Sequence, residues 1–174
     1  MSVTPLRSPV RELACGYDGP VFVSCFFSWP SSRILTALNA AQSEVLRIHP
    51  KVYSLSVIPD FGVAPAQGPA ASAADRDQLI ELTVAAGVPF ESSTVASAMV
   101  ILPKGMLGVL IRTFMATAML NPRMRTKVAI VSSLAEAEVS FRAVKGGPAL
   151  PPQLSESVAA WLQTLTAAPD KRAP

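Results

Sequence analysis

The side chains that could carry out chemistry in this chain are few and widely spaced. The sequence has a single histidine, His49, and two cysteines, Cys15 and Cys25. A nucleophilic triad would need His49 beside Cys25 or a serine, with a carboxylate behind it, and the chain has no Gly-x-Ser-x-Gly turn to present such a serine. We therefore predict that the protein is not an enzyme.

Metal and phosphate sites lack their usual sequence patterns. One histidine cannot build a metal site, and the two cysteines do not have the Cys-x-x-Cys spacing of zinc ligands. Gly105 and Gly108 belong to an apolar segment, and Gly146-Gly147 is not followed by the Lys-Ser or Lys-Thr of a phosphate loop. We predict no metal and no cofactor.

The two cysteines lie on either side of a predicted hairpin turn. A turn centred on Asp18-Gly19 would place Cys15 opposite Phe22 and would point the two cysteines to opposite faces of the sheet. Their separation along the ladder would be roughly 10 Å at about 3.3 Å per residue. A disulfide needs Cα atoms within about 7 Å. We predict two free, buried thiols.

The bulk composition limits the classes of partner. The chain has 174 residues, a net charge of +3, 50% hydrophobic residues and 16% charged residues. Since about 25% is typical of soluble domains, we expect some apolar surface to remain for a protein partner. The basic residues are scattered rather than clustered, so we predict no nucleic-acid binding. Residues 1–9 have no apolar signal region, and we predict a cytoplasmic protein.

Residues 95–120 form the most hydrophobic stretch of the chain. They would be long enough to cross a bilayer, but Pro103, Lys104 and Arg112 interrupt them. A charge near the centre of a span costs about 2.5 to 3.5 kcal/mol on insertion scales. We predict a strand, a turn and a helix here, and no transmembrane segment.

Hydrophobic spacing predicts one α/β domain. A hairpin in residues 11–28 is followed by alternating helices and strands. We predict a mixed, mostly parallel sheet of about five strands, with an N-terminal hairpin and four helices, plus a C-terminal helix. The predicted divisions are an N-terminal tail at 1–9, the α/β domain at 10–145, a linker at 146–152, the C-terminal helix at 153–166 and a disordered tail at 167–174.

This order of elements resembles the STAS-like family, the anti-sigma-factor-antagonist type of domain, in a divergent form common among bacterial proteins. The segments that carry the resemblance are Val57-Ile-Pro-Asp60 leading to Ser72, Ala98-Met-Val-Ile-Leu-Pro103 before an apolar helix, and Lys127-Val-Ala-Ile-Val131 followed by Ser133. The resemblance covers residues 7–144. It implies a regulatory domain that acts by binding other proteins.

The resemblance also implies a role for Ser72. In regulatory members of the family, a kinase phosphorylates a Ser or Thr where the helix after the third strand begins, and the phosphate switches binding. Ser72 is the matching position and is therefore a phospho-acceptor candidate. Because Asp75 follows three residues later, the alternative interpretation is an ordinary helix N-cap.

The helix predicted at residues 104–120 is apolar on nearly all sides. Such a helix is either buried on several sides or part of an interface, and flexible methionines suit both. We predict an interface for a protein partner or a homodimer, with core packing as the alternative. The predicted interface residues are Met106, Leu107, Leu110, Ile111, Phe114, Met115 and Met119.

Three basic residues follow this helix, namely Arg123, Arg125 and Lys127. They could pair with acidic side chains or a phosphate on a partner, and a solvated strand edge is the alternative.

Two functions are compatible with the sequence. The first is a non-catalytic regulatory or scaffold domain that binds proteins through the apolar helix. The second is a binder of a lipid or another apolar small molecule, in a cavity between that helix and the sheet, since STAS-like folds resemble the CRAL-TRIO lipid-transfer domains.

Overall fold

The structure is a computed structural model that describes residues 2–28, 31–60, 81, 90–120 and 127–167, without the side chains of residues 118 and 119. It is an α/β fold built on one mixed sheet of six strands, which confirms the predicted fold class. The strands are β1 (Thr4–Leu6), β2 (Leu13–Asp18), β3 (Val21–Phe26), β4 (Val52–Ile58), β5 (Thr94–Ile101) and β6 (Val128–Val131). The helices are α1 (Ser32–Ile48), α2 (Gly105–Met119), α3 (Leu134–Arg142) and α4 (Leu154–Ala167), and residues 90–93 are also helical.

The strands follow one another across the sheet in chain order. The first two pairs, β1 with β2 and β2 with β3, are antiparallel, and the later pairs from β3 to β6 are parallel. Parallel neighbours require a crossover connection, and α1 and α2 supply two of these. The predicted hairpin followed by a parallel sheet is therefore confirmed.

The hairpin turn lies one residue later in the chain than predicted. Asp18 pairs with Val21, so the turn consists of Gly19 and Pro20 rather than Asp18 and Gly19. Gly19 has a positive φ of 53°, and the Pro20 ring fixes φ at a negative value, which matches the type II′ turns that join strands tightly. As a result Cys15 pairs with Ser24 instead of Phe22.

The sixth strand lies in the segment predicted to be an N-terminal tail. β1 pairs with β2 in the register Thr4 to Tyr17 and Pro5 to Gly16. A Cβ atom at Gly16 would lie 2.6 Å from the side chain of Val3, so only glycine permits this close approach. Pro5 is tolerated because β1 is an edge strand. The sequence patterns missed β1 because a three-residue strand shows almost no alternation.

Helices cover both faces of the sheet. On one face α1, capped by Ser31, packs on Phe22 and Val52, and α2 packs on Ile101. On the other face α3 and α4 cover the central strands with one continuous core cluster that contains Phe141 and Trp161. Successive strand residues alternate between these two cores, as the pleat requires.

The C-terminal helix docks on its own domain through two polar contacts. The Ser157 hydroxyl donates to Oδ2 of Asp18 at 2.6 Å, and both residues are buried. Glu138 accepts a hydrogen bond from the backbone N–H of Ser155 at 2.8 Å and pairs with Arg142. Burial raises the pKa of Glu138, but the hydrogen bonds from Ser155 and Arg142 outweigh it, so the pKa is lowered overall.

Candidate interaction surface

The side of α2 that faces the sheet belongs to the core. Ile111, Phe114 and Met115 are buried against Ile101 of β5, and Leu107 is half-buried beside them. These four were predicted to form an interface, and the structure packs them inside the chain. They therefore correspond to the alternative of core packing.

The opposite side of α2 is exposed and apolar. The side chains of Met106, Val109 and Leu110 are 81%, 58% and 58% exposed, and that of Leu120, just after the helix, is 82% exposed. The spacing of three, four, seven, eleven and fourteen residues from Met106 places a single row along the helix. We call this row the outward face of α2; it consists of Met106, Val109, Leu110, Thr113, Thr117 and Leu120.

The outward face carries no charged side chain. The Thr117 hydroxyl donates to the carbonyl oxygen of Thr113 at 2.8 Å, one turn earlier, so the donor of that hydroxyl is already used within the helix. Ala116, next to the row, is exposed as well. The face therefore offers a partner mainly methyl, methylene and thioether groups.

Of the remaining predicted site residues, only Lys127 has a side chain within the described part of the chain. The side chain of Met119 and the residues Ser72, Arg123 and Arg125 lie outside the described residues. Lys127 is exposed directly before β6. The proposed roles of these residues stay predictions.

Arg112 and Gly108, neither of which was predicted to be a site residue, fix the position of α2. Arg112 reaches back and donates from Nη2 to the carbonyl oxygens of Ile101 at 3.0 Å and Pro103 at 3.5 Å. A Cβ atom at Gly108 would overlap the carbonyl oxygen of Pro103, so glycine is required where the helix crosses this turn. These contacts hold the inward side on the sheet and leave the outward face on the surface.

The groups considered for catalysis lie apart from α2. Cys15 and Cys25 are buried in the two opposite cores and are not joined by a disulfide, as predicted. Burial raises the pKa of Cys15 from 9.0 to about 12, so its thiol stays protonated at neutral pH and is a poor nucleophile. His49 caps the end of α1 and packs edge-to-face on Tyr17, with ring centroids 5.9 Å apart.

The described residues bear on two further kinds of site, for metal ions and for membranes. Within that part of the chain, no three or more His, Cys, Asp or Glu side chains are grouped so that they could hold a metal ion. None of the helices in the same part combines the length and the apolar character needed to cross a membrane.

No family model matches the sequence, and a search of the curated proteins found no match either. The resemblance to STAS-like domains therefore stays a prediction that rests on the order of the elements.

Proposed function

We propose that this chain is a non-catalytic interaction domain that binds a protein partner through the outward face of α2. The observation that carries the proposal is the exposure of Met106, Leu110 and Leu120 on a helix whose other side is already packed on the sheet. Exposed apolar residues are common when they occur singly, but a contiguous row of them is characteristic of interaction sites.

The composition of the face indicates the chemistry of its partner. Because the outward face has no charged group, a partner gains nothing there from ion pairing. Its gain comes from apolar burial, at about 25 cal/mol per Å² of surface removed from water. The partner should therefore present an apolar surface, such as the apolar side of a helix, and binding should weaken little with added salt.

The alternative function is binding of a lipid or another apolar small molecule between α2 and the sheet. Ile111, Phe114 and Met115 occupy that space in the described part of the chain. A cavity of about 130 Å³ lies elsewhere, between Leu6 of β1 and Trp161 of α4. Ligand pockets usually measure about 300 to 1,000 Å³, so this cavity gives the alternative little support.

Photo-crosslinking tests the proposal that the outward face of α2 binds a protein. The experiment uses cells in which this chain is naturally expressed. A photoreactive residue replaces Val109 in the outward face, and the same residue replaces Ile48, which is 52% exposed on α1, as a matched control. We expect a covalent product with one protein from position 109 and not from position 48. The double substitution Met106→Glu and Leu110→Glu should abolish that product without changing the circular dichroism spectrum.

Other results would contradict the proposal. If positions 109 and 48 gave the same products, the face would have no specific partner. If position 109 acquired only the mass of a lipid, the surface would bind apolar molecules and the proposal of a protein partner would fail.

A further inference from the structure

We infer that two copies of this chain associate through β6, whose free edge pairs antiparallel with β6 of a second copy. This inference goes beyond the proposed function, because it concerns a surface other than the outward face of α2. It depends on two observations, the edge of β6 that no other described strand pairs with and the opposite charges at the two ends of that strand.

The two edges of the sheet are protected to different degrees. At one edge, β1 has three residues and contains Pro5, which removes a backbone donor. At the other edge, β6 consists of four uncharged aliphatic residues, Val128–Val131, and among the described residues it pairs only with β5. Proteins usually protect such an edge with proline, charge or a cover, because its free N–H and C=O groups accept another strand.

The charges flanking β6 are of opposite sign. Lys127 is exposed immediately before the strand. At its other end the backbone N–H of Ser132 donates to Oε2 of Glu136 at 2.9 Å, which holds the Glu136 carboxylate against the end of β6. A strand with a base at one end and an acid at the other is complementary to itself only when the second copy runs antiparallel.

Glu136 also lies on the side of α3 that faces the free edge. On the opposite flank of α3, Glu138 and Arg142 contact the segment where α4 begins. Residues two apart on a helix differ in direction by about 200°, so Glu136 faces away from α4. On this face of the sheet α4 contacts Asp18 of β2, whereas α3 packs on β5 and β6. The direction away from α4 therefore points toward the β6 edge of the sheet.

A two-fold axis through Ile130, perpendicular to the sheet, satisfies all of these features, because residues that pair across antiparallel strands point to the same face. It pairs Ile130 with Ile130 of the second copy and Val128 with Ser132 of that copy. It also places Lys127 opposite Ser133 of the second copy, next to its Glu136. The two-fold symmetry forms this ion pair twice. A partner of another sequence would match both charges only by coincidence, which is why a second copy is the favoured occupant.

A charge exchange measured by sedimentation equilibrium tests the inference. We expect the wild type to have the mass of two chains at micromolar concentration. Lys127→Glu alone and Glu136→Lys alone should each weaken association on the order of tenfold at low ionic strength, because like charges then meet across both ends. An equimolar mixture of the two variants should regain wild-type affinity, because every contact between unlike chains is again attractive.

One control variant and one replacement variant separate the proposed ion pair from effects of net charge and of misfolding. Lys104→Glu changes the net charge by the same amount at the start of α2 and should leave association unchanged. Glu136 lies in the first turn of α3, where its backbone N–H donates to the hydroxyl of the N-cap Ser133, so Glu136→Gln replaces Glu136→Lys if the lysine variant does not fold. The double variant Lys127→Glu, Glu136→Gln should then associate more tightly than Lys127→Glu alone.

The outcomes separate this inference from the proposed function. A wild type that remains a single chain at 100 μM overturns the inference and leaves the crosslinking test of α2 unaffected. A dimer that Met106→Glu and Leu110→Glu dissociate, and that Lys127→Glu does not weaken, also overturns it, because the contact then lies on α2. Failure of the mixture to regain affinity overturns the pairing of Lys127 with Glu136.

Discussion

The helices α2 and α4 lie on opposite faces of the same sheet and differ in what they present to solvent. In α4 the large apolar side chains, including Val158, Trp161 and Leu162, are buried, and the exposed positions include Glu156 and Gln163. In α2 the packed inward side is accompanied by an exposed row that begins at Met106. Both helices therefore bury the apolar side that faces the sheet.

The contrast between α4 and α2 separates apolar residues that pack in the core from apolar residues that stay exposed. The apolar surface of α4 is almost entirely used in packing, and polar contacts from Asp18 and Glu138 fix the helix in place. In the outward face of α2, Met106, Val109 and Leu110 are each more than half exposed, so they contribute little to packing within the described chain. We propose binding as the role of this apolar row.

The largest effect should come from the inward side of α2. Phe114→Ala removes a buried ring from the cluster with Ile101 and leaves a cavity, so we expect a loss of about 3–5 kcal/mol in the free energy of unfolding. Urea denaturation followed by circular dichroism measures it. A loss below about 1 kcal/mol would mean that α2 is not packed on the sheet as described.

A smaller effect should come from the polar anchor of α4. Ser157→Ala removes the hydroxyl that donates to Asp18 inside the core, and an unsatisfied buried group costs about 1–3 kcal/mol. Thr164→Ala, on the exposed side of the same helix, is the matched control. Equal denaturation midpoints for the two variants would show that the buried hydrogen bond does not hold α4.

The second anchor of α4 should make stability depend on pH. The pKa of Glu138 is lowered in the folded state, so its contribution is complete above the unfolded value of about 4.3 and is lost as the pH falls through the folded pKa. Glu138→Gln should cost on the order of 0.5 kcal/mol at pH 7, because the pair with Arg142 is partly exposed.

Thermal denaturation between pH 7 and pH 2.5 measures this dependence. The difference between the wild type and Glu138→Gln should shrink steadily as the pH falls below about 4. A difference that stays constant over this range would assign the effect to packing rather than to the charge of Glu138.

The smallest effect should come from the outward face. Leu110→Ala removes a side chain that is 58% exposed, and we expect a change within about 0.5 kcal/mol in the free energy of unfolding. The comparison with Phe114→Ala, four residues further along the same helix, uses the same measurement. A loss similar to that of Phe114→Ala would show that the chain itself covers the outward face.

The sequence by itself determined the α/β class and most element positions. The helix caps at Ser31 and Ser133 and the apolar run of β3 are local signals, since each depends on residues within a few positions of one another. The helix predicted at residues 104–120 is present as Gly105–Met119 for the same reason. Periodicity and capping act over short distances, so they can be read without the fold.

Only the tertiary structure decided which apolar residues of α2 are buried. Because this helix is apolar on both sides, its pattern could not indicate which side meets the sheet. Phe114 and Leu110 are both large apolar residues of the same segment, and the pattern does not distinguish the buried one from the exposed one. The contact between Asp18 and Ser157 joins residues 139 positions apart, and β1 depends on the space left by Gly16. These features arise from long-range packing, which no local pattern encodes.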